Sequence, residues 1–247
     1  MPTRSYGQYC ALAKALDVVG ERWTLLIVRE LFAGPQRFSD LLHALPGIGT
    51  GMLAARLREM RAANIIELAE LPPPAASHVY RLTPRGRQLD AALSALGRWG
   101  GDLLGPAGSA AHANPLWLLQ SFAARTATND ASVSSASVVL AAGDVEKPHA
   151  ASLPAQFDVN IQLDSQWHHL RVRGSRVIAR RGARSPASAS VSTDSETLLE
   201  VCQNHDTLTA ALNKGRLAIS GDRDAALAVL DLLAVRPAPG ADGFEEM

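Results

Sequence analysis

Net charge, cysteine and long apolar runs are scarce or missing in this chain, and each shortage removes a class of function. Its 24 Lys+Arg and 24 Asp+Glu cancel, so whole-chain electrostatics argue neither for nor against a polyanionic partner. The two cysteines, Cys10 and Cys202, are too few for a disulfide framework. No metal site is expected, and both thiols read as reduced. No apolar run reaches the roughly eighteen residues of a membrane span. Residues 1–8 are polar and short where a secretory signal would need an apolar core. A cytoplasmic protein without membrane attachment is the expectation. A Gly-rich phosphate loop, a nucleophile elbow and paired catalytic carboxylates are also missing. His168 and His169 are adjacent, which on a strand sends them to opposite faces. The chain is therefore expected to be no enzyme and to carry no cofactor.

What is present is ordered along the chain. As far as Gly105 there are 12 Lys+Arg against 9 Asp+Glu, and the remainder carries the compensating acidic excess. Leu12, Leu16 and Val19 recur at helical spacing and predict an amphipathic helix over 9–19, closed by Gly20. Residues 23–31 are apolar nearly all round, as in a helix at the centre of a core. Gly34-Pro35 breaks the chain, and Phe38 opens a third helix that stops before Pro46-Gly47. A fourth helix over 50–63 puts Leu53, Leu57 and Met60 on one face, with Asn64 placed to close it in the left-handed conformation. Residues 65–68 and 78–82 are strand-like on either side of Pro72, Pro73 and Pro74, which predicts a hairpin. Thr83-Pro84 supplies an N-cap and a first-turn proline for one helix to about Gly105, carrying Leu89, Leu93, Leu96 and Leu103. Helix, helix, helix-turn-helix, hairpin, helix is the layout of a winged helix-turn-helix domain.

A second domain follows, so the fold class is α+β: a winged helix-turn-helix domain over 1–105, a linker over 106–114, an α+β domain over 115–234 and a disordered tail over 235–247. Pro115 starts an apolar helix over 116–124. Phe157, Val159, Ile161 and Leu163 alternate with polar residues, Leu170 and Val172 continue the habit, and Ala187, Ala189 and Val191 repeat it. These predict half-buried antiparallel strands. A capping-box pattern over 193–196 opens a helix, another covers 207–212, residues 217–219 form a last strand, and Asp222 caps a final helix with Leu227, Leu230 and Leu233.

The motifs resemble a known family. Cys10, the run Ala15-Leu16-Asp17-Val18-Val19-Gly20-Glu21-Arg22-Trp23-Thr24, then Gly34-Pro35-Gln36-Arg37-Phe38, Leu53 with Arg56-Leu57, Tyr80-Arg81-Leu82-Thr83 and Trp99 are similar to the HxlR-type winged helix regulators. The resemblance covers residues 8–105 and implies a homodimer that binds operator DNA. The part from Pro115 to Leu233 resembles the sterol-carrier-protein lipid-binding fold, best over 187–233. Such folds enclose an apolar cavity, which implies a hydrophobic small-molecule effector, with its ligand-binding residues unknown.

If Leu53, Leu57 and Met60 face inward, the opposite face of the fourth helix carries Gly51, Ala55 and Arg58, with Met52 beside them and Thr50 at its start. Thr50, Gly51, Met52, Ala55 and Arg58 are therefore candidates for reading base edges. Arg56 on the flank, and Arg22 and Arg37 near the starts of earlier helices, are candidates for phosphate. On the wing, Glu67, Leu68 and Glu70 stand where the family places a basic residue, and a carboxylate repels phosphate. His78 and Arg81 could touch the backbone, or Arg81 could pair across the hairpin with Glu67.

Cys10 stands where the family commonly has cysteine, and a few relatives switch by thiol oxidation. Its bland reading is a small buried apolar residue. Two readings compete with a ligand-modulated regulator of double-stranded DNA. One is a thiol-based redox regulator acting through Cys10, and the other a lipid carrier whose winged helix contacts protein.

Overall fold

The computed structural model describes residues 5–71, 77–101, 103, 114–126, 154–203 and 206–233. The expected prolines at the hairpin tip, the linker residues 106–113 and the tail 235–247 lie outside the described residues. The chain divides into two compact units, Met1–Ala95 and Leu96–Met247.

The first unit contains α1 (Ala11–Val19), α2 (Thr24–Phe32), α3 (Phe38–Ala44), α4 (Thr50–Ala62), β1 (Ile66–Glu70), β2 (His78–Leu82) and α5 (Pro84–Arg87). As the all-round apolar run requires, α2 is central: Ile27 and Val28 are fully buried and pack with Leu41, Leu53, Leu57 and Ile66. On α1, only Ala13 is buried, and the predicted apolar face shows Leu12 and Leu16 exposed. Asn64 takes the left-handed conformation at φ 57°, which turns α4 directly into β1. The hairpin is antiparallel with Ile66 opposite Leu82 and Glu67 opposite Arg81. Gln36 adds a bridge on its other side, exchanging both backbone hydrogen bonds with Tyr80.

The single helix expected after Thr83 is two helices, α5 and α6 (Asp90–Gly101), the latter crossing the division between units. Thr83 Oγ1 caps α5 by accepting the Gly86 N–H at 3.0 Å, as predicted for this position. The N–H groups of Gln88 and Leu89 then bond to Arg85 and Gly86 carbonyls three residues back, a tightened turn that ends α5. Leu89 thereby packs on the core. Gly86 cannot be replaced without movement, because a Cβ there would lie 2.1 Å from the Ile65 carbonyl oxygen.

The second unit contains α7 (Pro115–Thr126), β3 (Gln156–Leu163), β4 (Gln166–Arg173), β5 (Arg176–Arg181), β6 (Ala189–Thr193), α8 (Ser195–Gln203), α9 (Asp206–Asn213), β7 (Ala218–Gly221) and α10 (Arg223–Leu233). Its five-stranded sheet runs β5-β4-β3-β6-β7. The expectation of purely antiparallel strands fails at one seam: β3 and β6 are parallel, with Ile161 opposite Val191. The chain passes β4 and β5 before β6 returns to the free edge of β3, so the two run the same way. The strand β5 was not anticipated, because arginines surround its two inward residues, Val177 and Ala179. At this sheet edge the Val177 N–H donates to Thr126 Oγ1 on α7 at 2.9 Å. The capping box expected at 193–196 resolves into Asp194 alone, whose carboxylate accepts from the Thr197 N–H, and that bond holds its pKa below the usual carboxylate value. Asp222 caps α10 through the Ala225 N–H, as predicted.

As the strand geometry requires, His168 and His169 part company. His169 bonds the Gly182 carbonyl, whereas His168 is 1% exposed on the core side with neither ring nitrogen bonded to a described residue. Burial first, then the charges of Arg181 and His169, push the His168 pKa down from 6.5 to about 4.

Two stability outcomes follow from this packing. Gly86→Ala is expected to cost about 2–3 kcal/mol in urea unfolding, while Gly100→Ala on α6, where a Cβ meets nothing, costs nothing. As pH falls from 6.5 towards 4, an unfolded chain protonates His168 and the folded chain does not. Stability present above pH 6.5 is therefore lost on acidification, by about 2–3 kcal/mol between pH 7.5 and 4.5. His168→Leu is expected to flatten that part of the urea midpoint against pH. An unchanged slope would show that this imidazole is not responsible.

Candidate nucleic-acid interface

Helices α3 and α4 are joined by a short turn in which Ile48 is buried and Gly47 sits at φ 89°, a conformation that favours glycine. Burial of Leu53, Leu57 and Met60 turns the opposite side of α4 outward. Thr50, Gly51, Met52 and Arg58 are exposed, and Ala55 is half-buried. No side chain caps the N-terminal Gly49 end of α4, so its first-turn N–H groups are open to an anion. Nothing lies within 4 Å of a Cβ built on Gly51.

Arg56 is placed differently from its expected position on the flank. It is 9% exposed, donates to Glu59 Oε2 at 2.5 Å and to Glu21 Oε2 at 3.4 Å, and so fastens α4 to the segment between α1 and α2. The helical angle between Arg56 and Leu53 brings it onto the inner side, where a guanidinium needs carboxylate partners. The sequence reading assigned it to phosphate, and in the folded chain its guanidinium is engaged by these two carboxylates.

The other cations stay at the surface. Arg22 is exposed with its guanidinium 4.9 Å from the Trp23 ring centroid. The Arg37 backbone N–H is accepted by Asp40 at 3.0 Å, and its side chain donates to Ser77 Oγ at 3.0 Å, which ties the start of α3 to the wing. His78 is exposed opposite Glu70. Of the two roles open to Arg81, it takes the pair with Glu67, at 2.7 Å. That pairing offsets the wing carboxylate expected to repel phosphate.

Sequence reasoning missed Arg61. Arg58 and Arg61, one helical turn apart, line a concavity of roughly 460 Å³ between the end of α4 and β1, together with Asn64, Glu67 and Leu68. Neither arginine has a hydrogen bond or ion pair among the described residues. The i, i+3 spacing was the available signal. Two guanidiniums at the junction of helix and wing can grip a phosphate oxygen from one side. Among the described residues no cluster of His, Cys, Asp or Glu could hold a metal, and no helix is long and apolar enough to cross a membrane.

Residues 18–107 match the family model described as HxlR-like helix-turn-helix, and residues 108–247 fall outside that match. An uncharacterized HTH-type transcriptional regulator of Synechocystis is 37% identical over 106 residues, which are 42% of this chain and 76% of that protein. Another, from Mycobacterium tuberculosis, is 42% identical over 94 residues, and there the chain spans 59% of the relative's length. Among solved structures, the reduced form of the transcriptional regulator YodB from Bacillus subtilis is 32% identical, covers 40% of this chain and 99% of its own, and gives a TM-score of 0.33.

Proposed function

This chain belongs to the HxlR-like helix-turn-helix family, and on that premise we propose that it is a transcriptional regulator that binds a pseudo-palindromic operator in double-stranded DNA as a homodimer. The observation that carries the reading is the exposed first turn of α4, where Thr50, Gly51 and Met52 present a bare helix N-terminus and Arg58 follows two turns on. The N-terminal turn enters the major groove with base edges against Thr50, Gly51, Met52 and Ala55. Arg58, a base-edge candidate from the sequence, instead joins Arg61 on the adjoining phosphates because the two line one concavity beside β1, with Arg22, Arg37 and His78 as further backbone contacts.

Dimerisation is supported by apolar side chains that the chain leaves uncovered: Tyr9, Leu12 and Leu16 on and before α1, and Leu96, Trp99 and Leu103 on and after α6. Exposed apolar groups of this size mark a protein interface. Two-fold symmetry then places half-sites about one helical turn apart. The domain over 115–234, linked through 106–114, is a sterol-carrier-protein-like unit that takes up a hydrophobic molecule. To regulate, that molecule must prefer one spacing of the two reading heads. Retention of neither fatty-acid nor sterol probes, with operator affinity unchanged, would remove the ligand.

A second reading is favoured by the exposure of Cys10, which the sequence reading expected to be a buried apolar residue. Cys202 is buried in the core of the other unit, so oxidation joins the Cys10 thiols of two copies, each giving up its hydrogen to the oxidant. Diamide treatment that changes operator affinity in the native protein and not in Cys10→Ser supports this reading.

The test of the main reading is a binding series on the protein's own promoter duplex. Gly51→Ala is expected to leave folding intact or raise stability by up to about 1 kcal/mol, yet weaken operator binding about tenfold by holding the bases off the helix. Trp99→Asp is expected to give monomers by analytical ultracentrifugation and a similar loss of affinity. Normal operator binding by Gly51→Ala and Arg58→Ala together would show that α4 is not the reading helix.

A further inference from the structure

We propose that the buried imidazole of His168, on the core side of β4, anchors an uncharged hydroxyl group on the molecule that the second unit takes up, with the hydroxyl donating to the bare ring nitrogen. The inference rests on the reading of that unit as a binder of a hydrophobic molecule, and it names the head group.

Three observations carry it. First, His168 is 1% exposed, and neither ring nitrogen has a hydrogen bond to a described residue. A neutral imidazole has one N–H and one bare nitrogen, and leaving both unpaired in a core costs the desolvation of each. A side chain kept at that cost, where leucine would pack, points to a partner from outside the chain. Second, the antiparallel registers put Ile161 opposite His168, and Ala179 opposite Leu170, two residues further along β4. Directly paired residues share a face, and Ile161, Leu170 and Ala179 are all buried. The ring therefore stands on the side of the sheet that a hydrocarbon chain would occupy. Third, burial and the charges of Arg181, opposite it on β5, and of His169 hold the pKa of His168 at about 4. The ring is neutral near pH 7, and a neutral ring asks for a neutral partner.

A hydroxyl is the group that fits. It donates to the bare nitrogen, whereas a carboxylate only accepts and has to be stripped of water to reach a core. A plain hydrocarbon leaves the ring as it is. A buried water needs several polar partners, and Ile161 and Leu170 beside the ring are hydrocarbon. A metal ion would find a single ligand here, since no cluster of His, Cys, Asp or Glu stands among the described residues.

The test uses the full chain, with dodecanol and cholesterol as the linear and the ring-shaped source of a hydroxyl. Each is set beside its own methyl ether, which accepts a hydrogen bond and cannot donate one, and dodecanol also beside dodecanoate. Native protein is expected to bind at least one alcohol about tenfold more tightly than its ether, and His168→Leu to lose that preference. Equal affinity for alcohol and ether overturns the anchor and spares the hydrophobic ligand. So does tighter binding of dodecanoate than of dodecanol, or a preference for the alcohol that survives in His168→Leu. Should that variant fail to fold, the imidazole nitrogen signals of the native protein decide: saturation with the bound alcohol is expected to shift the bare nitrogen of His168, and no shift overturns the proposal. If native protein binds none of these probes, ethers included, the reading of the second unit falls and the anchor with it.

Discussion

The carbonyl oxygen of Ile65 is the point on which the geometry of the first unit turns. It accepts the Thr83 N–H at 3.0 Å and shares the Thr83 hydroxyl proton, at 3.1 Å, with the Asn64 carbonyl at 2.6 Å. The same Thr83 oxygen accepts from Gly86. The end of α4, the start of β1, the end of β2 and the start of α5 thus meet in one hydrogen-bonded knot, closed by a glycine because no Cβ fits. A buried network in which each donor is satisfied holds a single geometry, since any departure leaves a polar group unpaired in low dielectric. Helix α4 and the β1-β2 hairpin are therefore held in one geometry with respect to each other.

A second fastening acts on the middle of α4. Arg56 is pinned between Glu59 on its own helix and Glu21 ahead of α2. Its carboxylate partners are about half exposed, so the pair straddles the surface and escapes much of the desolvation cost of a fully buried ion pair. A cation used this way sets the orientation of the helix, whereas Arg58 and Arg61 stay at its surface. Two arginines two positions apart on one helix have different tasks because 200° of helical rotation separates them.

Much of the first unit was legible because its local signals agree with its packing. The all-apolar α2, the inward stripe of α4, Asn64 at positive φ and the Thr83 cap each have one physical solution, and the chain takes it. The pairing of Arg56 was not legible, because a single helical wheel cannot say where Glu21, 35 residues away, will lie. The α5–α6 break was invisible because no proline marks the tightened turn at Gln88 and Leu89. In the second unit, β5 was hidden because alternation was sought among apolar residues, and arginine fills its outward positions. The parallel seam between β3 and β6 is a fact of topology, to which the period of two is blind.

A chain of zero net charge has no global attraction for a polyanion, so any affinity for DNA comes from how its charges are sorted. At physiological ionic strength the screening length is about 8 Å. Arginines one helical turn apart on α4, as Arg58 and Arg61 are, fall within that length and would act on an anion as a group. Acidic residues beyond it subtract little. The formal neutrality of this protein is therefore the sum of local surfaces of opposite sign, and in salt it is the surfaces, not the sum, that a duplex meets.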